Sequence, residues 1–226
     1  MEDDMQIARE SATLRLQVED KLRKAIATGR FRAGERLVER ELCALLGVGR
    51  TSVREALRQL EAEGLIVTIP HRGPAVASIG PKEARQLYEV RALLEGFAGR
   101  GCAMHATPEQ VADLERAVVA LEKAAGEGGA ALIEAKTSFY ERLLASCGND
   151  VVRQILTGLH NRITLLRSTS MQQPGRLPRS LKEIRLICER IAARDAEGAE
   201  RACIEHIRNA AEVALAVLEK QSNSAA

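Results

Sequence analysis

Three arginines spaced four apart, Arg50, Arg54 and Arg58, stand beside two hydroxyls, Thr51 and Ser52, in the stretch GVGRTSVREALRQLEAEGL from Gly47 to Leu65. Set on a helix at about 100° per residue, the arginines make one stripe, and Val53, Ala56, Leu57 and Leu60 make the apolar face beside it. The apolar face calls for a core, and the basic stripe calls for an anion. A guanidinium bonds guanine O6 and N7 in bidentate fashion, and a helix laid in a major groove offers its first residues to base edges. The hydroxyls bond a phosphate or a base edge, and free N–H groups at a helix start attract phosphate. The plainer alternative is a solvated charged face on an ordinary helix.

The elements around this stretch favour the nucleic acid. Before it lies a short helical pattern over 39–46, with Leu42, Leu45 and Leu46 inward and Gly47 as its stop. Earlier still, Leu14, Val18, Leu22 and Ile26 mark one face of a helix over 13–28, ended by Gly29. After it, β-prone runs over 65–69 and 75–79 flank the turn signal PHRGP. His71 and Arg72 fall in that tip, where a wing reaches the minor groove. Three helices and a hairpin in this order spell a winged helix-turn-helix.

Past Gly80-Pro81 the strand signals vanish. Helical patterns follow over 82–103, 108–125, 129–147, 150–169, 178–195 and 197–220, with short breaks such as CGND and QQPGRLP. Six helices joined by short loops predict an all-α antiparallel bundle. The chain is therefore mainly α, with a DNA-binding unit over 1–80, a helical unit over 81–222 and a disordered tail over 223–226.

Composition limits the alternatives. The net charge is +2, too small for a uniformly basic surface, so any basic patch is local. The five cysteines form no CxxC and read as reduced core residues in a cytoplasmic protein. The start MEDDMQIARE lacks the apolar run of a signal peptide, and no stretch of about 18 apolar residues predicts a membrane span. No GxSxG, Walker loop, HExxH or GxGxxG after a strand is present, so nothing points to an enzyme.

GRFRAGERL, VERELCALLGVGRTSVREALRQLEAEGL and IPHRG resemble the DNA-binding domain of the GntR family of bacterial transcription regulators. The likeness covers residues 14–78 nearly without gaps. It implies that Arg40, Arg50, Thr51, Ser52 and Arg54 contact operator DNA, with the wing tip near His71 assisting. Gly49 stands where the family has Ser or Thr, so a capping hydroxyl is missing. LYEVRALLEGFAGRGC, TSFYERLLASCGND and RDAEGAERACIEHI are similar to the helical effector-binding domain of the FadR-like branch, called FCD, in its six-helix VanR-type form. That resemblance implies two-fold dimers and a cavity for a small carboxylate, often held through a divalent metal by one Asp and three His.

The chain departs from that metal pattern. Lys136 occupies the Asp position, Tyr140 the first His position and Ile184 the second, and His206 alone survives. One imidazole beside an ammonium does not hold a metal that needs three or four donors, so no metal and no cofactor is expected. Helical spacing turns Lys136 inward with Leu132, Phe139, Leu143 and Cys147, and His206 inward with Ala202, Ala210, Val213 and Val217. It likewise sets Arg91 with Leu87, Leu94 and Ala98, and Arg162 with Val151, Ile155 and Leu166. Buried cations are costly unless paired, and Glu95 is the one inward acid in this reading. An anionic metabolite then supplies the missing charge, with Arg91, Lys136, Tyr140, Arg162 and His206 lining its site. Three of these residues keep a plainer reading: an Arg91–Glu95 pair, Lys136 reaching for the bundle end, His206 as a satisfied core histidine. The expected function is a ligand-responsive repressor, a homodimer on double-stranded operator DNA. The alternative is a DNA-binding dimer whose bundle only dimerises.

Overall fold

The computed structural model describes residues 9–171 and 173–224 of the chain, and the chain divides into two units between Ser78 and Ile79. In the first, α1 (Arg9–Ala27), α2 (Glu39–Leu46) and α3 (Arg50–Ala62) precede a hairpin of β1 (Ile66–Ile69) and β2 (Gly73–Val76). Val18, Leu22 and Ile26 of α1, Leu42 of α2 and the α3 face Val53, Ala56, Leu57 and Leu60 are all buried. Two expected core leucines are not: Leu14 and Leu45 are exposed. Leu14 lies at the outer end of the α1 face. The eight residues of α2 make barely two turns, with room for one fully buried leucine.

Gly64 ends α3 with φ 73°. That conformation lets Leu65 N–H reach back to Leu60 O at 2.9 Å, closing the last turn and starting the hairpin. The hairpin is tighter than the sequence pattern suggests: β2 begins at Gly73, and Ile69 pairs with Gly73. A turn over 69–72 makes this possible. Arg72 N–H donates to Ile69 O at 3.0 Å, Pro70 sits second and His71 third with φ 62°, the pattern of a type II turn. The segment before α2 adds an edge to β2, through Leu37 N–H to Pro74 O and Val76 N–H to Glu35 O.

The second unit contains α4 (Pro81–His105), α5 (Pro108–Glu127), α6 (Gly129–Ala145), α7 (Asp150–Met171), α8 (Arg176–Ala192) and α9 (Ala196–Ser224). α4 and α9 run antiparallel in close contact: a Cβ on Gly96 would meet Ile204 and one on Gly99 would meet Cys203, and Arg85 pairs with Glu219 while Arg100 pairs with Glu200. Thr107 caps α5 with a full capping box, its hydroxyl accepting from Gln110 N–H. The core joins Cys102, Leu114, Leu121, Phe139, Leu143, Ile184, Ile191 and Cys203.

Three expectations in this unit need correction. α8 starts at Arg176 rather than 178, because Pro178 in a first turn removes an N–H that has no helical partner anyway. α9 continues to Ser224, so residues 223 and 224 are helical and only 225–226 of the expected tail lie outside the described residues. The inward face of α7 is Val152, Leu156 and Leu166, while Val151 and Ile155 are exposed. The paired residues Val151-Val152 and Ile155-Leu156 give this helix two apolar stripes, and tertiary packing took the second.

Candidate nucleic-acid interface and interior basic cluster

The seven residues expected to meet DNA lie in the first unit. Arg40, Arg50, Thr51, Arg54, His71 and Arg72 are exposed, and Ser52 is half-buried. Arg50, Thr51 and Ser52 are the first three residues of α3. Gly49 precedes them in extended conformation and provides no side-chain cap, so the N-terminal N–H groups of α3 keep their attraction for an anion. The apolar face of α3 anchors the helix and leaves the arginine stripe to solvent.

Two details refine this surface. The Arg54 Nε donates to both carboxylate oxygens of Glu39, at 2.8 and 3.0 Å. Its two Nη groups make no protein hydrogen bond among the described residues, so Glu39 fixes the stem while the fork stays available. Glu39 was missing from the sequence reading because it lies on a different helix, fifteen residues away. At the wing tip, His71 holds a left-handed conformation that favours Gly or Asn. That strain costs about 1 kcal/mol, and it holds an imidazole and the adjacent Arg72 at the outermost turn of the hairpin.

The second site is inside the helical unit. Arg91, Lys136, Arg176 and His206 are all buried. Arg91 Nε donates to Glu95 Oε1 at 2.8 Å, and its guanidinium lies 5.3 Å from the centre of the Tyr88 ring. Burial opposes the Arg91 charge, yet Glu95 and the two nearby tyrosines hold its pKa above the ordinary value. Lys136 Nζ donates to Ser180 Oγ at 3.0 Å. Arg176 Nη2 donates to Glu183 Oε2 at 2.9 Å.

His206 sits at the centre of this network. Nδ1 lies 2.6 Å from Glu183 Oε2 and Nε2 lies 3.0 Å from the Tyr140 hydroxyl. Burial, with Lys136 and Arg176 adding repulsion, pushes its pKa down to about 4 against the pull of Glu183. The ring is therefore neutral at pH 7. A carboxylate accepts only, so Nδ1 carries the proton and donates to Glu183, and Nε2 accepts the Tyr140 O–H. Burial alone would raise the Glu183 carboxyl, but the donors His206 and Arg176 outweigh it and leave its pKa below the usual range.

Of the five residues expected there, Tyr140 and His206 bond each other, while Arg91 and Lys136 are buried in the same unit and act on Tyr140 and on His206, respectively, through charge. Arg162 does not join them. It is half-exposed and pairs with Glu83 of α4 on the surface, because α7 turns its other stripe inward. The reading of Glu95 as the one inward acid also fails, since Glu183 is mostly buried and bonds Arg176, His206 and Asn209. Arg176 was missed because the expected helix began two residues late, and Ser180 and Glu183 lay within that helix without being singled out. Started at Arg176, they recur at four and three residues on one face.

The donor set does not fit a divalent metal. The one imidazole offers Nε2, already taken by Tyr140, and the neighbouring position is an ammonium. Ile184 lies in the hydrophobic core, and no cluster of three or more possible ligand residues exists among the described residues. All five cysteines are free, and burial raises the thiol pKa of Cys188 to about 11 and pushes those of Cys102 and Cys203 well above the ordinary value.

A recognition helix with exposed arginines, backed by a three-helix core and a basic wing, defines a winged helix-turn-helix DNA-binding regulator. The chain belongs to the gntR family of bacterial regulatory proteins, whose model matches residues 14–76, and it carries an FCD domain over residues 86–209. It is 29% identical over 207 residues to the uncharacterized HTH-type transcriptional regulator YdhC of Bacillus subtilis, covering 91% of this chain and 92% of the relative. It is 32% identical over 200 residues to the probable D-xylose utilization operon transcriptional repressor of Paenarthrobacter nicotinovorans, with 86% of each chain covered. The fold matches E. coli McbR/YncC with a TM-score of 0.77 at 23% identity, over 92% of this chain and 98% of that one. A putative GntR regulator from Rhodococcus sp. RHA1 gives 0.76 at 24% identity, over 90% and 98%. These relatives are transcription regulators, not enzymes. No helix among the described residues is long and apolar enough to cross a membrane.

Proposed function

We propose that this protein is a cytoplasmic, homodimeric repressor that leaves its operator when a small anionic metabolite enters the helical unit. Arg50 and Arg54 read base edges, Arg40, Thr51 and Ser52 hold phosphates or base edges, and His71 and Arg72 assist from the wing. Arg91, Lys136, Tyr140 and His206 belong to the effector site. The observation that carries the effector reading is the burial of three cations, Arg91, Lys136 and Arg176, in the helical unit. Taking cations out of water is costly, and an anionic ligand offsets that cost.

Dimerisation is supported by α4. Val90, Leu93, Phe97 and Met104 are all exposed, and their spacing puts them within one narrow stripe of the helix. An apolar stripe of this size on a charged chain marks an interaction surface, and a second copy would bury it against its own counterpart by two-fold symmetry. Paired DNA-binding heads then suit half-sites about one helical turn apart.

The hydrogen bonds that already join Tyr140, His206 and Glu183 favour one second reading, a filled bundle that dimerises without a ligand. One series of experiments separates the two. Footprinting maps the protected DNA, and metabolites of the neighbouring operons are then screened for release of that complex. Release by an anionic compound, lost in Lys136→Ala, supports the effector role. Operator binding that no such compound alters leaves the dimerisation module. Leu93→Asp should turn the dimer into a monomer in sedimentation. An unchanged mass would remove α4 as the interface.

A further inference from the structure

The core holds the hairpin of the DNA-binding unit only at its base. Leu65 and Ile66 are buried where β1 begins, and Ala75 and Val76 where β2 ends. Further out, Val67 and Thr68 are exposed and Ile69 is half-buried. His71 lies five residues beyond Ile66, on the order of 15 Å away at about 3.3 Å per residue. A tilt of about 10° at the base moves a tip at that distance by about 2–3 Å, far more than a hydrogen bond tolerates. A contact beyond the core is therefore needed to fix the angle of the wing if His71 and Arg72 are to meet a groove in register.

The sheet leaves one place for such a contact. Thr68 stands opposite Pro74. Leu37 N–H donates to Pro74 O at 2.8 Å, so the backbone of Pro74 faces the segment before α2. In an antiparallel pair of this kind the backbone groups of the partner, Thr68, face away from β2. An edge N–H left open invites water or another chain. Here Glu61 covers it: its Oε1 accepts the Thr68 N–H at 2.9 Å.

Glu61 stands on the last turn of α3, so this bond runs from the helix that carries Arg50 and Arg54 to the outer half of the wing. The neighbouring acid is committed elsewhere. Arg23 of α1 donates to both oxygens of Glu63, at 2.9 and 3.1 Å, and Gln59 donates to one of them at 3.1 Å. The two acids of LEAEGL thus divide their roles. Glu63 ties α3 to α1, and Glu61 ties α3 to β1.

Resting on the reading of His71 and Arg72 as wing contacts, we propose that Glu61 is a positioning residue for DNA binding, locking the wing to the recognition helix through the Thr68 N–H. The contacts of α3 and of the wing tip then keep one register. A carboxylate repels phosphate, so Glu61 acts through geometry and not through contact with DNA.

Glu61→Ala and Glu61→Gln lose the same charge, but glutamine keeps an oxygen that accepts from Thr68. Their difference isolates the hydrogen bond. Both full-length variants are titrated by fluorescence anisotropy against the duplex that footprinting defines. Glu61→Ala should bind about three- to tenfold more weakly than Glu61→Gln, the range set by one hydrogen bond. The pair is then repeated in a background of His71→Gly with Arg72→Ala, which strips the wing tip while glycine keeps its left-handed turn. There the two Glu61 variants should bind equally. Without DNA, the Thr68 amide should exchange its hydrogen about three- to tenfold faster in Glu61→Ala than in Glu61→Gln, followed by NMR. Equal operator affinity of the two variants, a difference that survives in the stripped wing, or equal exchange at Thr68 overturns the proposal. Failure of the wing reading shows separately: the stripped wing alone then binds the operator as tightly as the native protein.

Discussion

His206 should make the helical unit sensitive to mild acid. Its folded pKa is about 4, against an ordinary histidine value of 6.5. As pH falls through 6.5 the unfolded chain takes up a proton at this residue and the folded chain does not, so stability is lost across the window from 6.5 down to 4. Between pH 7.5 and 4.5 the shift integrates to about 2–3 kcal/mol, a large share of the 5–15 kcal/mol typical of a domain. The chain has no Trp, and both of its tyrosines, Tyr88 and Tyr140, lie in the helical unit. Tyrosine emission during urea unfolding therefore reports that unit without interference from the DNA-binding one. With a slope of about 2 kcal/mol per M, the native midpoint should fall by about 1 M more than that of His206→Gln over this range. Glutamine keeps a donor for Glu183 and an acceptor for Tyr140 but does not titrate, so the remaining carboxylates cancel in the comparison. Parallel loss of stability in both proteins would refute the assignment of a buried neutral imidazole. So would an NMR titration placing the His206 pKa near 6.5.

Three further outcomes follow from the geometry. Arg50→Ala and Arg54→Ala should each cost about 1–3 kcal/mol of operator affinity and relax the preference at one base pair, measured by binding to operators substituted position by position. A loss equal across all sequences would mean phosphate contact instead. Glu39→Gln should free the Arg54 stem and remove a negative charge near DNA, so the ratio of operator to random-sequence binding falls while random-sequence binding rises. An unchanged ratio in a competition assay would show that Glu39 does not position Arg54. Gly101→Ala should lower the thermal midpoint, since an added Cβ would lie 2.2 Å from the backbone oxygen of Cys147. Overpacking of this kind costs about 1–3 kcal/mol and outweighs the gain of up to about 1 kcal/mol that alanine brings to a helix. A midpoint that rises would show that the connection between α6 and α7 gives way.

The order of elements and the exposed arginine stripe of α3 were legible in the sequence because both rest on local rules. Periodicity within α3 separates Val53, Ala56, Leu57 and Leu60 from Arg50, Arg54 and Arg58, and glycines at 29, 47 and 64 mark where helices stop. Which of two apolar stripes turns inward is not a local matter. α7 offered both, and packing against the rest of the bundle buried Val152 and Leu156, which left Arg162 at the surface. The interior cluster is further from the sequence still. Lys136 meets Ser180 across 44 positions, and His206 meets Tyr140 across 66, so no spacing along the chain foretells either bond. The sequence alone determined that Arg91, Lys136 and His206 lie on inward-facing helical positions. Only the tertiary structure decided that Glu183 and Glu95 neutralise part of that charge and that the histidine stays uncharged. Helix faces follow from a period of 3.6 residues, but burial and pairing depend on which faces meet.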